Sequence, residues 1–232
     1  MNKLILAKSA GFCYGVRRAV ERAEQSAEAS IPYVMLGPVI HNSQVIEHLA
    51  RMGVGCVEHL QEIPGETGAI IRSHGVGRPI YKELKERKIP IIDATCPNVS
   101  RIHKLAVDAE KRGRQVIVIG VPSHPEIVAV AAWCETPMVF ERPEDIEEYI
   151  TLHPELKKMP ITILSQTTLT RSIWNSCVGI LKKECTNCEI FDTICTATYI
   201  RQTESRKIAA QCDAMVVIGG TLPRGLSVGT PD

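Results

Sequence analysis

The segment VSRIHKLAVDAEKRGRQVIVIG, residues 99–120, contains one complete helix-to-strand step and indicates the fold class of the chain. Its first part places apolar residues at helical spacing, at Val99, Ile102, Leu105, Ala106 and Ala109. Gly113 ends this helix, because glycine is favoured just past a helix C-terminus. The run at 115–119 that follows is mostly β-branched and apolar, which predicts a buried strand.

The same alternation of strand-like and helix-like segments extends along the rest of the chain. The predicted strands are Leu4–Ala7, Tyr33–Leu36, Ala69–Arg72, Ile89–Ile92, Gln115–Ile119, Pro137–Phe140, Ile161–Leu164 and Ala214–Ile218. The predicted helices are Val16–Ala29, Ser43–Met52, Arg78–Arg87, Val99–Arg112, Pro125–Trp133, Pro143–Ile150, Arg171–Lys183 and Ala197–Gln211. Such alternation predicts an α/β fold with mostly parallel sheets.

The overall charge balance excludes some classes of partner. The 232 residues include 27 Lys and Arg against 26 Asp and Glu, a formal net charge of +1. This balance does not provide the basic surface that nucleic acids or acidic membranes require. The apolar run Leu4–Ala7 is too short for a membrane span or for the core of a signal peptide. We therefore expect a cytoplasmic protein that has neither a nucleic-acid nor a membrane partner.

The cysteines point to chemistry other than disulfide bonding. Nine cysteines are present, and an odd number in a cytosolic chain argues against a disulfide framework. Cys13, Cys96 and Cys195 each lie in a turn-rich loop between a predicted strand and a predicted helix. A following helix N-terminus favours the thiolate form, and thiolates are the ligands of iron–sulfur clusters.

The other six cysteines leave alternatives open. Cys56, Cys134, Cys177 and Cys212 are interpreted as buried or incidental thiols. Cys185 and Cys188 form a Cys-x-x-Cys pair, which can bind zinc or act as a redox couple. A further alternative is a cysteine nucleophile, Cys13 or Cys96, activated by a nearby histidine.

Three histidines occupy loops of the same kind as the three cysteines. His41, His74 and His124 each follow a predicted strand and open a predicted helix, where an anion such as a diphosphate is favoured. Glu126 is the candidate acid, because a carboxyl in a closed pocket can hold its proton at neutral pH; its alternative role is a first-turn helix residue. The remaining histidines are predicted to be solvated: His48, His59, His103 and His153.

Hydroxyl and amide side chains add to these loops. The segment Ser165-Gln166-Thr167-Thr168 lies between a predicted strand and a predicted helix, and Thr198 follows Cys195 by three residues. Such side chains either cap the next helix or bind a substrate oxygen, and local sequence leaves both roles open.

Taken in order, these motifs resemble one enzyme family, the 4-hydroxy-3-methylbut-2-enyl diphosphate reductases of the non-mevalonate isoprenoid pathway. The motifs are GFCYGV at 11–16, VIHN at 39–42, SHGV at 73–76, DATCP at 93–97, HPE at 124–126, SQTT at 165–168 and DTICTAT at 192–198. Each motif alone is weak, but all seven in order over nearly the whole chain are highly specific.

The resemblance implies a site and a reaction. Cys13, Cys96 and Cys195 would hold a 4Fe–4S cluster with one open iron, and His41, His74 and His124 would line the diphosphate pocket. Glu126 and Thr167 would relay a proton to the leaving hydroxyl, His124 would be a further catalytic residue, and Gln166 and Thr198 would lie near the substrate. A ferredoxin- or flavodoxin-type donor would supply two electrons, and the products would be isopentenyl and dimethylallyl diphosphates.

The resemblance also implies three small α/β units arranged around a central cluster. They would span 14–96, 97–190, and 1–13 together with 191–232. After Gly219-Gly220 the chain departs from the family pattern, since a Ser–Asn loop that grips diphosphate is absent. We therefore expect an incomplete, destabilised third unit whose tail reflects a truncation, a frame change or a chimera. The alternative function is a non-catalytic remnant that still folds and binds a cluster.

Overall fold

The computed structural model describes residues 4–219, which form eight α-helices and eight β-strands. The helices are α1 (Tyr14–Ser26), α2 (Ser43–Arg51), α3 (Arg78–Glu86), α4 (Pro97–Lys111), α5 (Pro125–Ala131), α6 (Pro143–Leu152), α7 (Arg171–Glu184) and α8 (Thr196–Ala209). The strands are β1 (Tyr33–Leu36), β2 (Gly55–Val57), β3 (Gly68–Ile71), β4 (Ile91–Asp93), β5 (Gln115–Ile119), β6 (Met138–Phe140), β7 (Pro160–Ser165) and β8 (Asn187–Ile190). The segment after Gly220, where the sequence departs from the family pattern, lies outside the described residues.

The strands form two parallel sheets with the same topology. The first sheet has the order β2-β1-β3-β4, and the second has the order β6-β5-β7-β8. All six strand pairs are parallel, which confirms the predicted α/β fold. In each sheet the chain moves outward from a central strand, then returns to the other side of that strand.

The chain divides into two compact units, one around each sheet. The first unit contains residues 4–74, 80–96 and 201–219, and the second contains 75–79 and 97–200. The predicted division into three units, with a third made from both ends of the chain, remains a prediction.

Alternating side chains along the central strand position helices on both faces of the second sheet. Ile117 and Ile119 pack in one cluster with Trp174 of α7. Val116 and Val118 face the other side and pack in a second cluster that includes Ile102, Ala106 and Ala109 of α4. The apolar stripe predicted for residues 99–112 is therefore the face that α4 buries, and the helix begins at Pro97.

Two predicted strands are absent, and two short strands were not predicted. Residues 4–7 and 214–218 are irregular, and both runs include highly exposed apolar side chains, such as Leu4 at 94% and Ile218 at 93%. A strand needs a hydrogen-bonded neighbour, and within 4–219 neither run is paired in a sheet. Both β2 and β8 lie at sheet edges; β2 is only three residues long, and β8 contains the polar residues Asn187 and Glu189.

Within residues 4–219 the structure contains no helix that combines the length and apolar character needed to cross a membrane.

Candidate active site

Both sheets bring their candidate residues to the carboxyl ends of the two central strands. In the first unit His41 follows β1 and His74 follows β3. In the second unit His124 follows β5 and Thr167 follows β7. These strand pairs are the points where the strand order reverses, and open α/β sheets bind ligands in the crevice at such points.

The two histidines of the first unit lie against each other. The rings of His41 and His74 stack with centroids 4.8 Å apart and planes inclined by 24°. Partial desolvation and the positive charge of Arg72 lower the pKa of His41, so its neutral form is favoured. Asn42 fixes the start of α2 by accepting a hydrogen bond from the Val45 amide at 3.1 Å. The structure therefore brings together the two predicted anion-binding histidines of this unit.

Backbone hydrogen bonds continue the first sheet beyond its strands and set the position of Cys96. The Ser73 amide donates to the Val39 carbonyl at 3.0 Å, and the Cys96 amide donates to the Ser73 carbonyl at 2.8 Å. The cysteine loop is thus attached to the loop that carries His74.

Gly15 leaves space for the Cys96 thiol. A Cβ atom placed on Gly15 would lie 2.4 Å from Cys96 Sγ and 3.2 Å from Cys96 Cβ. Cys13 occupies the N-cap position of α1 in an extended conformation, and in the described structure its side chain makes no capping hydrogen bond. Each thiol is partly exposed, so both remain accessible to a ligand.

Arginines of α1 hold the loop that contains Cys96, a role that the sequence analysis missed. Arg18 donates to the Thr95 carbonyl at 3.0 Å, and Arg22 donates to the Asp93 carbonyl at 2.5 Å. Asp93 itself accepts a hydrogen bond from the Thr95 amide at 2.9 Å and another from the Tyr81 hydroxyl at 3.0 Å. Two arginines one helical turn apart were the available signal, but their targets are backbone carbonyls that no local pattern identifies.

Glu126 is the central acidic group of the second unit. Its side chain is 3% exposed, and both carboxylate oxygens accept hydrogen bonds from Thr167. The Thr167 amide donates to Oε1 at 2.7 Å, and the Thr167 hydroxyl donates to Oε2 at 2.5 Å. Burial raises the pKa of Glu126 despite these two hydrogen bonds, which act in the opposite direction. The predicted acid and the predicted threonine are therefore in direct contact.

His124 is oriented by the first turn of the helix that carries Glu126. It is the N-cap residue of α5, and its Nδ1 accepts a hydrogen bond from the Glu126 amide at 3.1 Å. In the neutral ring the proton then lies on Nε2, so Nε2 is the donor nitrogen of this ring.

The carbonyl of Thr167 joins this acid site to the loop of the third candidate cysteine. It accepts hydrogen bonds from the Cys195 amide at 2.9 Å and from the Thr198 hydroxyl at 3.0 Å. The bond to Cys195 is the counterpart of the bond from Cys96 to Ser73 in the first unit. A single peptide segment thus contacts the acid through its amide and the cysteine loop through its carbonyl.

The side chain of Gln166 makes hydrogen bonds both within its own loop and to the loop after β5. Its Oε1 accepts from the Val121 amide at 3.0 Å, and its Nε2 donates to the Thr168 hydroxyl at 2.6 Å. These contacts connect the loop after β7 to the loop after β5, so Gln166 supports the geometry around Glu126.

A polar cavity of about 310 Å³ opens beside Cys195 within the second unit. Its lining includes Asn98, Arg101, Arg171 and Tyr199. Asn98 Nδ2 donates to Cys195 Sγ at 3.1 Å, a contact that the sequence analysis did not foresee.

Cys185 and Cys188 have the properties of core thiols. Cys185 is 6% exposed within the larger core cluster of the second unit, and Cys188 packs against that cluster. Burial raises the pKa of the Cys185 thiol to about 11, which disfavours the thiolate that a metal requires. Across residues 4–219, no three His, Cys, Asp or Glu side chains are grouped as metal ligands.

One histidine prediction is wrong. His103 was predicted to be solvated, but it is 5% exposed and stacks on Trp133 with ring centroids 4.9 Å apart. Its position in α4 faces α5, and Trp133, just after α5, covers it. The aromatic partner is 30 residues further along the chain, so the helical spacing of residues around His103 could not predict its burial.

Comparisons with known proteins agree with this description. A family profile described as LytB protein matches residues 4–222. The chain is 37% identical to the 4-hydroxy-3-methylbut-2-enyl diphosphate reductase of Alkaliphilus oremlandii, covering 94% of this chain and 77% of that protein. It is 36% identical to the reductase of the same name from Clostridioides difficile, covering 93% of this chain and 76% of that protein.

A solved structure is also similar. It is (E)-4-hydroxy-3-methyl-but-2-enyl diphosphate reductase, the terminal enzyme of the non-mevalonate pathway. The TM-score is 0.76 at 32% identity, with 94% of this chain and 76% of that chain covered.

Proposed function

Because the chain belongs to the LytB protein family, we propose that it is a reductase that acts on 4-hydroxy-3-methylbut-2-enyl diphosphate. The reaction would remove the allylic hydroxyl and yield isopentenyl and dimethylallyl diphosphates. In balance, the substrate takes up two electrons and two protons and releases one water molecule. The observation that carries this proposal is the buried Glu126, bound through both oxygens to Thr167.

The proposed cofactor is a 4Fe–4S cluster held by Cys13, Cys96 and Cys195. Three partly exposed thiols in loops suit this role, because thiolates are the ligands of such clusters. The missing side chain at Gly15 supports it as well, since any Cβ there would occupy the space beside Cys96 Sγ. When bound, the cluster would supply Lewis acidity at an open iron and would pass electrons to the substrate.

The side chains around the proposed cluster would bind the diphosphate and supply the proton. His41 and His74 would hold the diphosphate, because imidazoles donate hydrogen bonds to phosphate oxygens and His41 directly precedes the N-cap of α2, where an anion is favoured. His124 would add a donor through Nε2. Anchoring the diphosphate would orient the hydroxyl at the other end of the substrate before it leaves.

Glu126 and Thr167 would deliver the proton to the departing hydroxyl. Burial keeps the carboxyl protonated to higher pH, as a general acid near neutrality requires. The Thr167 hydroxyl would give its own proton to the departing hydroxyl and would take the single proton of the Glu126 carboxyl in its place. Gln166 and Thr198 would keep the Thr167 backbone in place through the contacts that both make to this loop.

Two further parts of the proposal concern surroundings and partners. A ferredoxin- or flavodoxin-type protein would donate the electrons. A cytoplasmic location is proposed because all nine cysteines are free thiols, which persist in a reducing compartment.

The test is anaerobic purification, iron and sulfide analysis, and turnover with a chemical reductant. The wild type is compared with Glu126→Gln, Cys195→Ser and the control Cys56→Ser, whose thiol is exposed and outside the ligand set. We expect Cys195→Ser to lose iron and turnover, Glu126→Gln to keep iron but lose turnover, and the control to keep both. A wild type that binds a cluster without turnover would instead support a non-catalytic remnant, and a wild type without iron would overturn the cofactor.

A further inference from the structure

The side-chain amide of Asn98 makes a hydrogen bond to a proposed cluster ligand. Asn98 is the second residue of α4, and its Nδ2 lies 3.1 Å from Cys195 Sγ. An amide NH₂ group is purely a donor, so the sulfur is the acceptor in this contact. A thiolate accepts a hydrogen bond more strongly than a thiol does, because its charge is on the sulfur.

Both ends of this contact are held by separate interactions in the second unit. Cys195 is fixed by its amide, which donates to the Thr167 carbonyl at 2.9 Å. Asn98 is carried by the first turn of α4, where the neighbouring Val99 is 3% exposed and anchors the helix. The fold therefore fixes the backbone on both sides of the contact and places the exposed Asn98 side chain within hydrogen-bond distance of the sulfur.

A donor at this position affects electron uptake. The potential of an iron–sulfur cluster depends on hydrogen bonds to its sulfurs and on exposure to solvent. An added electron increases the negative charge on the cluster and on its thiolate ligands, so a hydrogen-bond donor stabilises the reduced form more than the oxidised form. The effect is moderated by the cavity of about 310 Å³ beside Cys195, which admits solvent.

We propose that Asn98 is a positioning residue that raises the reduction potential of the cluster through its hydrogen bond to Cys195. This inference rests on the proposed function, because it requires Cys195 to be a ligand. Asn98 acts through the sulfur and has no contact with the substrate in this proposal. Its consequence is easier reduction of the cluster by the external electron donor.

The experiment measures the midpoint potential of the anaerobically purified full chain by spectroelectrochemistry. The measured step is the uptake of one electron from the electrode, with no bond formed or broken. Asn98→Leu removes the donor and keeps similar volume, whereas Asn98→Asp replaces the donor with a negative charge. Asn98→Asp also allows the test to proceed if Asn98→Leu does not fold, because an acidic residue in the first turn of a helix is favourable to folding. Asn175→Leu, at an exposed position of α7, makes the same chemical change as a control.

We expect Asn98→Leu to shift the ratio of reduced to oxidised cluster about tenfold toward the oxidised form at a fixed potential. For a one-electron couple this corresponds to a lowering of about 59 mV. Asn98→Asp should lower the potential further, and Asn175→Leu should leave it unchanged. Iron and sulfide contents should equal those of the wild type in all three variants.

The outcomes separate this inference from the function on which it rests. A full cluster with wild-type potential in both Asn98 variants would overturn the role of Asn98 and leave the reductase proposal intact. A wild-type chain that binds no cluster would overturn the proposed function before the variants are compared. An equal shift in Asn175→Leu would show a non-specific effect and would also reject the role assigned to Asn98.

Discussion

The space beside Cys96 makes Gly15→Ala the most informative single substitution. The added Cβ would lie 2.4 Å from Cys96 Sγ and 3.2 Å from Cys96 Cβ. Non-bonded heavy atoms are normally about 3.5–4.0 Å apart, so the thiol must move by about 1 Å or more. Functional sites tolerate displacements of only about 0.5 Å, so this movement exceeds what ligand geometry allows.

The effect on folding should be much smaller than the effect on the cluster. Overpacking of this kind costs about 1–3 kcal/mol, and the better helix propensity of alanine offsets up to about 1 kcal/mol of that cost. Sγ is also the end of a short side chain and can rotate away. We therefore expect a folded variant that has lost most of its iron, its sulfide and its turnover.

The assay compares iron and sulfide content with thermal unfolding of the same preparations. Gly179→Ala is the matched control, because Gly179 also lies inside a helix and a Cβ there would meet nothing within 4 Å. This control should gain about 0.5–1 kcal/mol of stability and keep its cluster. Full cluster content and wild-type turnover in Gly15→Ala would refute the assignment of Cys96 as a ligand held in this position.

Three further outcomes are expected in the second unit. Glu126→Gln should lower turnover by at least about 100-fold with iron content unchanged, measured by steady-state assay of the purified variant. Burial raises the pKa of Glu126, so the folded protein binds the carboxyl proton more tightly than the unfolded chain does. The stability that depends on this proton is fully present below the unfolded-state pKa of 4.5 and is lost as pH rises through the folded-state pKa. The free energy of unfolding measured in urea should therefore fall with rising pH more steeply in the wild type than in Glu126→Gln. Parallel plots of this free energy against pH for the two proteins would contradict the prediction. Thr193→Val should cost about 1–3 kcal/mol, because the buried Thr193 hydroxyl accepts from the Ser165 amide at 2.8 Å and donates to the Ser165 carbonyl at 2.7 Å. The exposed Thr186→Val should change stability by less than about 0.5 kcal/mol in the same denaturant assay.

The helices could be predicted from sequence because their signals are local. The apolar stripe of α4 and the N-terminal prolines of α5 and α6 lie within the elements that they define. Strands depend on their neighbours, which explains both kinds of error. The apolar run at 214–218 has the composition of a strand but no paired neighbour within 4–219, whereas the edge strand β8 is paired despite its polar residues.

The positions of the candidate residues could be predicted, but their contacts could not. Strand–loop–helix spacing identified Glu126 and Thr167 separately, yet they are 41 residues apart and meet only because β5 and β7 are neighbours. The contact between Asn98 and Cys195 spans 97 residues and has no local signal at all. Pairing of this kind is a property of sheet order, which the sequence pattern left undetermined.

The sheet order also explains why a structural repeat left only a faint trace in the sequence. Each unit attaches its cysteine loop in the same way, by a hydrogen bond from the amide of Cys96 or Cys195 to a carbonyl in the loop after the third strand of its unit. Backbone groups make these bonds, so the repeated frame places little demand on side-chain identity. The side chains at equivalent loops are then free to differ, with His74 in the first unit and Thr167 in the second. One topology can thus present imidazoles for an anion in one unit and a buried acid with its hydroxyl partner in the other. It follows that substitutions of these loop side chains should alter chemistry far more than folding, whereas changes that displace the backbone of the loops should disturb both together.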